Sequence, residues 1–86
     1  MIYSLNRDVQ MEIVNDNIVL LRENGDAVTF NDTGSMILEQ ILKNDESAAE
    51  QRLIEMYETD PVTAHKDIDE LISEMTKMKL ILIANE

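Results

Sequence analysis

His65 is the single imidazole in the chain, and Asp67, Asp69 and Glu70 follow it closely. A histidine beside a carboxylate is the commonest proton-transfer pair near neutral pH. Here the pair lacks company. No serine stands beside His65 in a nucleophile motif, and the chain has no cysteine. Thiol catalysis, disulfides and cysteine-based metal sites are therefore excluded. One histidine does not make an ordinary metal site. The carboxylates are too abundant for any pair of them to be diagnostic. Asp67-Ile68-Asp69-Glu70 puts acids on the solvent side of a helix whose apolar side is Ile68, Leu71 and Ile72. Glu46 and Glu50 belong to a first helical turn, where negative charge complements the helix dipole. No calcium-loop spacing occurs, and Gly25 and Gly34 stand too far apart for a phosphate-cradling loop. The expectation is a protein without catalytic residues, metal or cofactor, in which His65 is a surface histidine.

The composition narrows the remaining classes. A chain of 86 residues is read as one domain, 1–86, and its leading methionine as the natural start. With Tyr3, Phe30 and Tyr57 as the only aromatics, the core must be Ile, Leu, Val and Met. No apolar run has the length of a transmembrane helix and no signal peptide is legible, so a cytoplasmic location is expected. The 18 acids and 7 bases leave a net charge of −11. Such a surface repels nucleic acid and anionic membranes, and favours solubility first.

The elements that must carry any site follow from periodicity. Val9, Met11 and Ile13 alternate with Gln10 and Glu12, a strand with one buried face. Asn15-Asp16-Asn17 is turn chemistry, and Ile18 to Leu21 is a short apolar run of strand formers. Asn24-Gly25 signals a second hairpin turn before a third strand, Ala27 to Asn31. The period then becomes helical. Asp32 or Thr33 can cap a first helix that carries Met36, Ile37, Leu38, Ile41 and Leu42 and ends near Lys43-Asn44. Ser47-Ala48-Ala49-Glu50 has capping-box spacing for a second helix. Asp60-Pro61 opens a third, with aspartate as cap and proline at the first helical position. Ile68, Leu71, Ile72, Met75 and Met78 form its apolar face. Leu80 to Ile83 reads as a last strand or an apolar tail laid on the core. The fold class is α+β: a three-stranded antiparallel β-meander followed by three α-helices, winged-helix-like.

A winged helix invites DNA binding, but the third helix sets Lys66, Lys77 and Lys79 against Asp67, Asp69, Glu70 and Glu74. A reading helix needs the opposite balance. Peptide recognition fits better. If the meander order holds, Ala27 to Asn31 lies at a sheet edge with unpaired backbone groups, to which an extended peptide can add. The plainer alternative is an edge covered by Leu80 to Ile83 or by a second copy.

The run Phe30-Asn31-Asp32-Thr33-Gly34 before the first helix, Tyr57 at the end of the second, and Asp67-Ile68 with Leu71 and Met75 in the third resemble the coenzyme PQQ synthesis protein D (PqqD) family. The resemblance covers about residues 9 to 83 and rests on order and spacing. Asn44-Asp45-Glu46 departs from the acidic-Gly pair usual after helix one, and Met75 from the usual leucine. The resemblance implies a non-catalytic peptide chaperone that binds the leader of a ribosomally made precursor peptide. It would present that leader to a modifying enzyme of radical-SAM, cyclase or protease type. It places the leader as a strand on Ala27, Val28, Thr29, Phe30 and Asn31. The groove side of the third helix would involve His65, Ile68, Ile72 and Met75, some of them shared with the core. Which of Val28 and Thr29 points to the free edge is left open. The alternatives are a winged-helix protein-interaction or dimerisation module, and a DNA-binding regulator.

Overall fold

A computed structural model describes residues 2–84. Its elements are β1 (Ile2–Leu5), β2 (Val9–Val14), β3 (Asn17–Arg22), β4 (Ala27–Thr29), α1 (Asp32–Lys43), α2 (Glu46–Tyr57), α3 (Pro61–Lys77) and β5 (Ile81–Ala84). The order is the expected α+β one, with a strand added in front. β2, β3 and β4 form an antiparallel sheet in that order, and β1 pairs with β5 in a separate antiparallel ladder. The segment Ile2–Leu5 carried no strand expectation. Its strand is held from a distance by Ile81–Ala84, and periodicity does not report a partner some 80 residues away. The apolar tail is thus a strand on β1 and does not cover β4.

Backbone sterics account for the two hairpins. Asn15 and Asp16 both take positive φ, 52° and 69°, the left-handed pair that a two-residue turn between twisted strands requires. The β3–β4 connection is longer. Gly25 at φ 96° lets its N–H reach the Arg22 carbonyl, and the Arg22 N–H donates to the Asp26 carbonyl.

Each helix opens on an Asx cap. Asn31, not Asp32 or Thr33, caps α1: its side-chain oxygen accepts the Gly34 N–H at 2.8 Å. Asp45 caps α2 through the Ala48 N–H at 2.9 Å, which displaces the expected Ser47–Glu50 box. An aspartate two positions upstream meets the same geometric need, and the serine becomes an ordinary first-turn residue. Asp60 caps α3 as expected, accepting from both the N–H and the hydroxyl of Thr63, with Pro61 next. Those bonds hold the Asp60 carboxyl below the usual carboxylate range.

α3 stops in a Schellman turn. Lys79 adopts φ 60°, its N–H donates to the Thr76 carbonyl, and the Leu80 N–H donates to the Met75 carbonyl. The turn sends the chain back along the core into β5. Leu20, Leu38, Ile41, Leu53, Ile68, Met75 and Leu80 are fully buried between the sheet and the helices. Tyr3 joins them from β1. Burial, and then the charge of Glu46 and its hydrogen bond with the phenol, push the Tyr3 hydroxyl up to about 12. Among the described residues no helix is long and apolar enough to cross a membrane.

Candidate functional site

β4 is the outer strand of its sheet, so one side of it has no partner strand among the described residues. The ladder decides which residues face that side. The Phe30 N–H donates to the Ile18 carbonyl, and the Arg22 N–H to the Asp26 carbonyl. Leu20 pairs with Val28 between them. Antiparallel strands alternate hydrogen-bonded and non-hydrogen-bonded pairs. Residues 26, 28 and 30 therefore bond to β3, while Ala27 and Thr29 direct their N–H and C=O groups outward. Their side chains are exposed, whereas Val28 is half-buried against the core. The question left open by the sequence is resolved: Thr29 faces the edge and Val28 the ladder.

One ladder bond is rerouted. Opposite Phe30, the Ile18 N–H donates at 2.8 Å to the Ser35 hydroxyl, which in turn donates to the Phe30 carbonyl at 3.4 Å. Ser35 is 6% exposed and lies in the first turns of α1. A side chain of the helix thus completes the sheet. This clamp explains how the chain passes from strand to helix between Phe30 and Asp32 without a loop: the end of β4 and the start of α1 share a hydrogen-bond network. Sequence reasoning missed Ser35, because a serine inside an amphipathic run looks like a polar interruption. Its only legible signal is its place one turn after the Asn31 cap.

Beside the free edge runs a groove of about 240 Å³. Residues 28–31 form its sheet wall, Leu71, Met75 and Met78 with Glu74 its α3 wall, and Gly34 and Leu80 lie along it. A Cβ at Gly34 would come within 3.2 Å of the Asn31 cap oxygen and 3.4 Å of the Phe30 ring, so glycine keeps this end open. The α3 wall is anchored at its C-terminus: the Arg22 guanidinium donates to the Met78 carbonyl at 2.8 Å, and the Asn6 amide to the Lys79 carbonyl at 3.0 Å. A cation is well placed at a helix C-terminus. Beyond the C-terminal end of β4 the groove opens into a larger cleft of about 700 Å³, between the start of α1 and α3.

Five of the nine expected site residues border the edge and groove: Val28, Thr29, Phe30, Asn31 and Met75. Ala27 lies on the same edge. Three α3 residues do not line the groove. His65 is on another face, 67% exposed at its side chain, with Nε2 3.2 Å from Asp69 and Nδ1 3.6 Å from Glu50 of α2. Ile68 is 2% exposed and belongs to the core, and Ile72 packs against that core half-buried. The helical phase explains the correction. At 3.6 residues per turn the order around α3 is His65, Ile72, Ile68, Met75, Leu71, Met78, so the last three turn towards β4, Ile68 sits on the core side of Met75 and His65 at the far edge. Ile72 and Ile68 are as apolar in sequence as Met75, Leu71 and Met78, so periodicity alone could not choose. Met75 lines the groove from below yet is 2% exposed, serving core and groove together. Leu71 and Met78 were not expected as site residues.

The site can offer main-chain hydrogen bonds along one edge, a shallow apolar trough and a carboxylate rim. No cluster of three or more potential metal-ligating His, Cys, Asp or Glu side chains occurs among the described residues. The profile of the coenzyme PQQ synthesis protein D (PqqD) family matches residues 17–81. Among solved structures, one described as "Lasso peptide synthetase B1 complexed with the leader peptide" superposes with a TM-score of 0.89 at 22% identity, covering 96% of this chain and 100% of that one. Another, "TbiB1 in Complex with the TbiA(beta) Leader Peptide", gives a TM-score of 0.85 at 16% identity over 96% and 99% of the two chains. No curated protein sequence matches. With the profile spanning the stretch from β3 to the start of β5, including the edge strand and all three helices, the chain belongs to the coenzyme PQQ synthesis protein D family.

Proposed function

We propose that this chain is a non-catalytic peptide chaperone, residues 1–86 acting as one recognition domain. It binds the leader of a ribosomally made precursor peptide by strand addition to β4 and presents it to a modifying enzyme of radical-SAM, cyclase or protease type. The observation that carries this reading is the free edge of β4, with Ala27 and Thr29 turned outward beside the apolar trough of Leu71, Met75 and Met78. A peptide laid along that edge gains backbone hydrogen bonds from both residues and can drop alternate side chains into the trough. The pre-formed walls, tied by Ser35 and Arg22, reduce the ordering cost of binding. The two similar structures are described as leader-peptide complexes, which supports the same occupant here. The acidic face of α3, with Asp67, Asp69, Glu70 and Glu74, argues against DNA as a ligand.

The test is a titration of isotope-labelled protein with the leader of the precursor peptide encoded beside its gene, followed by NMR. Amide shifts should concentrate at Ala27, Thr29, Leu71 and Met78. Saturable binding that leaves those amides unmoved would overturn strand addition at β4, and a lack of any binding would overturn the assignment.

A further inference from the structure

The trough beside β4 is bordered by one carboxylate, Glu74, and its continuation by several. As the groove passes the C-terminal end of β4, its α3 wall runs back from Met78 towards Asp67; Leu71 and Glu74 line both parts, and Asp67, Asp69 and Glu70 join them in the cleft. Among the described residues Lys77 is the one base lining the cleft. Among the described residues no base lies within ion-pair distance of Asp67, Glu70 or Glu74; the ion pairs formed involve other acids. The opposing wall is the start of α1, whose dipole places roughly half a positive charge there. Asp32 in that first turn offsets it. Carboxylates therefore gather towards the end of the groove that lies beyond the C-terminus of β4, in line with a strand added there.

We infer that the segment binding at β4 pairs an apolar anchor with a lysine or arginine, the anchor resting on Met75 and Met78 and the base lying over Glu70, with Glu74 between them. This rests on strand addition at β4. Helical rise is about 1.5 Å per residue, so the stretch from Met75 back to Glu70 spans roughly 7.5 Å and that from Met78 back to Glu70 roughly 12 Å. Same-face side chains of a strand recur about every 6.7 Å. One or two such steps connect the two sub-sites, so the base stands two or four residues from the anchor. The sheet is antiparallel throughout, and an antiparallel addition, the more stable ladder, puts the base on the N-terminal side of the anchor. An acidic residue at that position would meet the carboxylate rim and be disfavoured, which makes the rim a selectivity element as well as an attractive one.

The test is a selection of random 12-residue peptides, displayed on phage, against the full protein and against its Glu70→Lys/Glu74→Lys variant. Both positions are exposed; circular dichroism and melting verify the fold, with Glu70→Gln/Glu74→Gln replacing the reversal if it melts early. Wild-type protein should enrich Lys or Arg two or four residues N-terminal to an apolar residue, and the reversed variant should enrich Asp or Glu there. In a synthetic copy of a selected peptide, Lys→Glu should weaken wild-type binding about tenfold, with most of the difference lost at high salt. Peptides that shift the Ala27 and Thr29 amides but show no charge preference overturn this inference and leave strand addition standing. Peptides that never shift those amides overturn both.

Discussion

Proline at two adjacent positions separates fold from function at β4. Val28 lies opposite Leu20 in a hydrogen-bonded pair and is half-buried. Val28→Pro deletes a ladder donor, leaves the Leu20 carbonyl short of a partner inside the sheet and reshapes a core contact. An unsatisfied buried group costs about 1–3 kcal/mol, and the lost packing adds roughly 1 kcal/mol. A total near 3 kcal/mol is a large share of the ~4–13 kcal/mol expected for a chain of this length. At about 4–8 °C per kcal/mol, the Tm should fall by roughly 12–24 °C. Thr29→Pro behaves otherwise. Its N–H points away from β3, so no ladder bond is lost, and proline is tolerated on an edge. Its Tm should change little. The incoming peptide, however, loses one main-chain donor and meets the pyrrolidine ring, so affinity for the leader should fall at least tenfold, about 1.4 kcal/mol. Melting by circular dichroism and titration calorimetry with the leader read the two effects independently. A folded Thr29→Pro protein that binds the leader at full strength refutes strand addition here, and a Val28→Pro protein with an unchanged Tm refutes the assigned ladder.

Three further outcomes follow from the geometry. Ser35→Ala strands the buried Ile18 N–H and should cost about 1–3 kcal/mol of stability by denaturant unfolding, while Ser35→Thr, which keeps the hydroxyl, should lose less. Leu71→Ala and Met78→Ala should each weaken leader binding several-fold with a modest change in Tm, whereas His65→Ala, on another face of α3, should leave the affinity within error. The Tyr3 phenol is raised from 10.0 to about 12 in the folded protein, so its neutral form is favoured by folding. Its contribution is complete below pH 10 and is lost as pH rises through about 12; stability to unfolding should fall over that window in the native protein and much less in Tyr3→Phe.

The elements with strong local signals were legible in the sequence. The β2–β3 hairpin follows from Asn15-Asp16 between two apolar runs, although Met11 and Ile13, expected on a buried face of β2, are exposed, and α3 follows from Asp60-Pro61 ahead of a long apolar stripe. What escaped depended on contacts distant in the chain or on choices between equivalent local options. β1 exists because β5 returns to it. The caps of α1 and α2 fell on Asn31 and Asp45, one or two residues from the expected ones, because several neighbouring side chains could each accept the same N–H. The edge strand itself was readable, but not which of Val28 and Thr29 turned outward, nor which of the apolar α3 residues faced it. The apolar residues of α3 form one continuous arc, and only the packing of Ile68 into the core fixes which part of it faces β4. Ser35 illustrates the limit: its role depends on the Ile18 N–H, 17 residues away.

Amide hydrogen exchange, read residue by residue with and without the precursor leader, tests strand addition most directly. Ala27 and Thr29 point outward and should exchange readily in the free protein, while Phe30, bonded to Ile18, should be protected. Adding the leader should slow exchange at Ala27 and Thr29 and leave Phe30 nearly unchanged, an alternation that only a strand paired along this edge produces. Saturated leader binding with Ala27 and Thr29 still exchanging at their free rates would contradict the account.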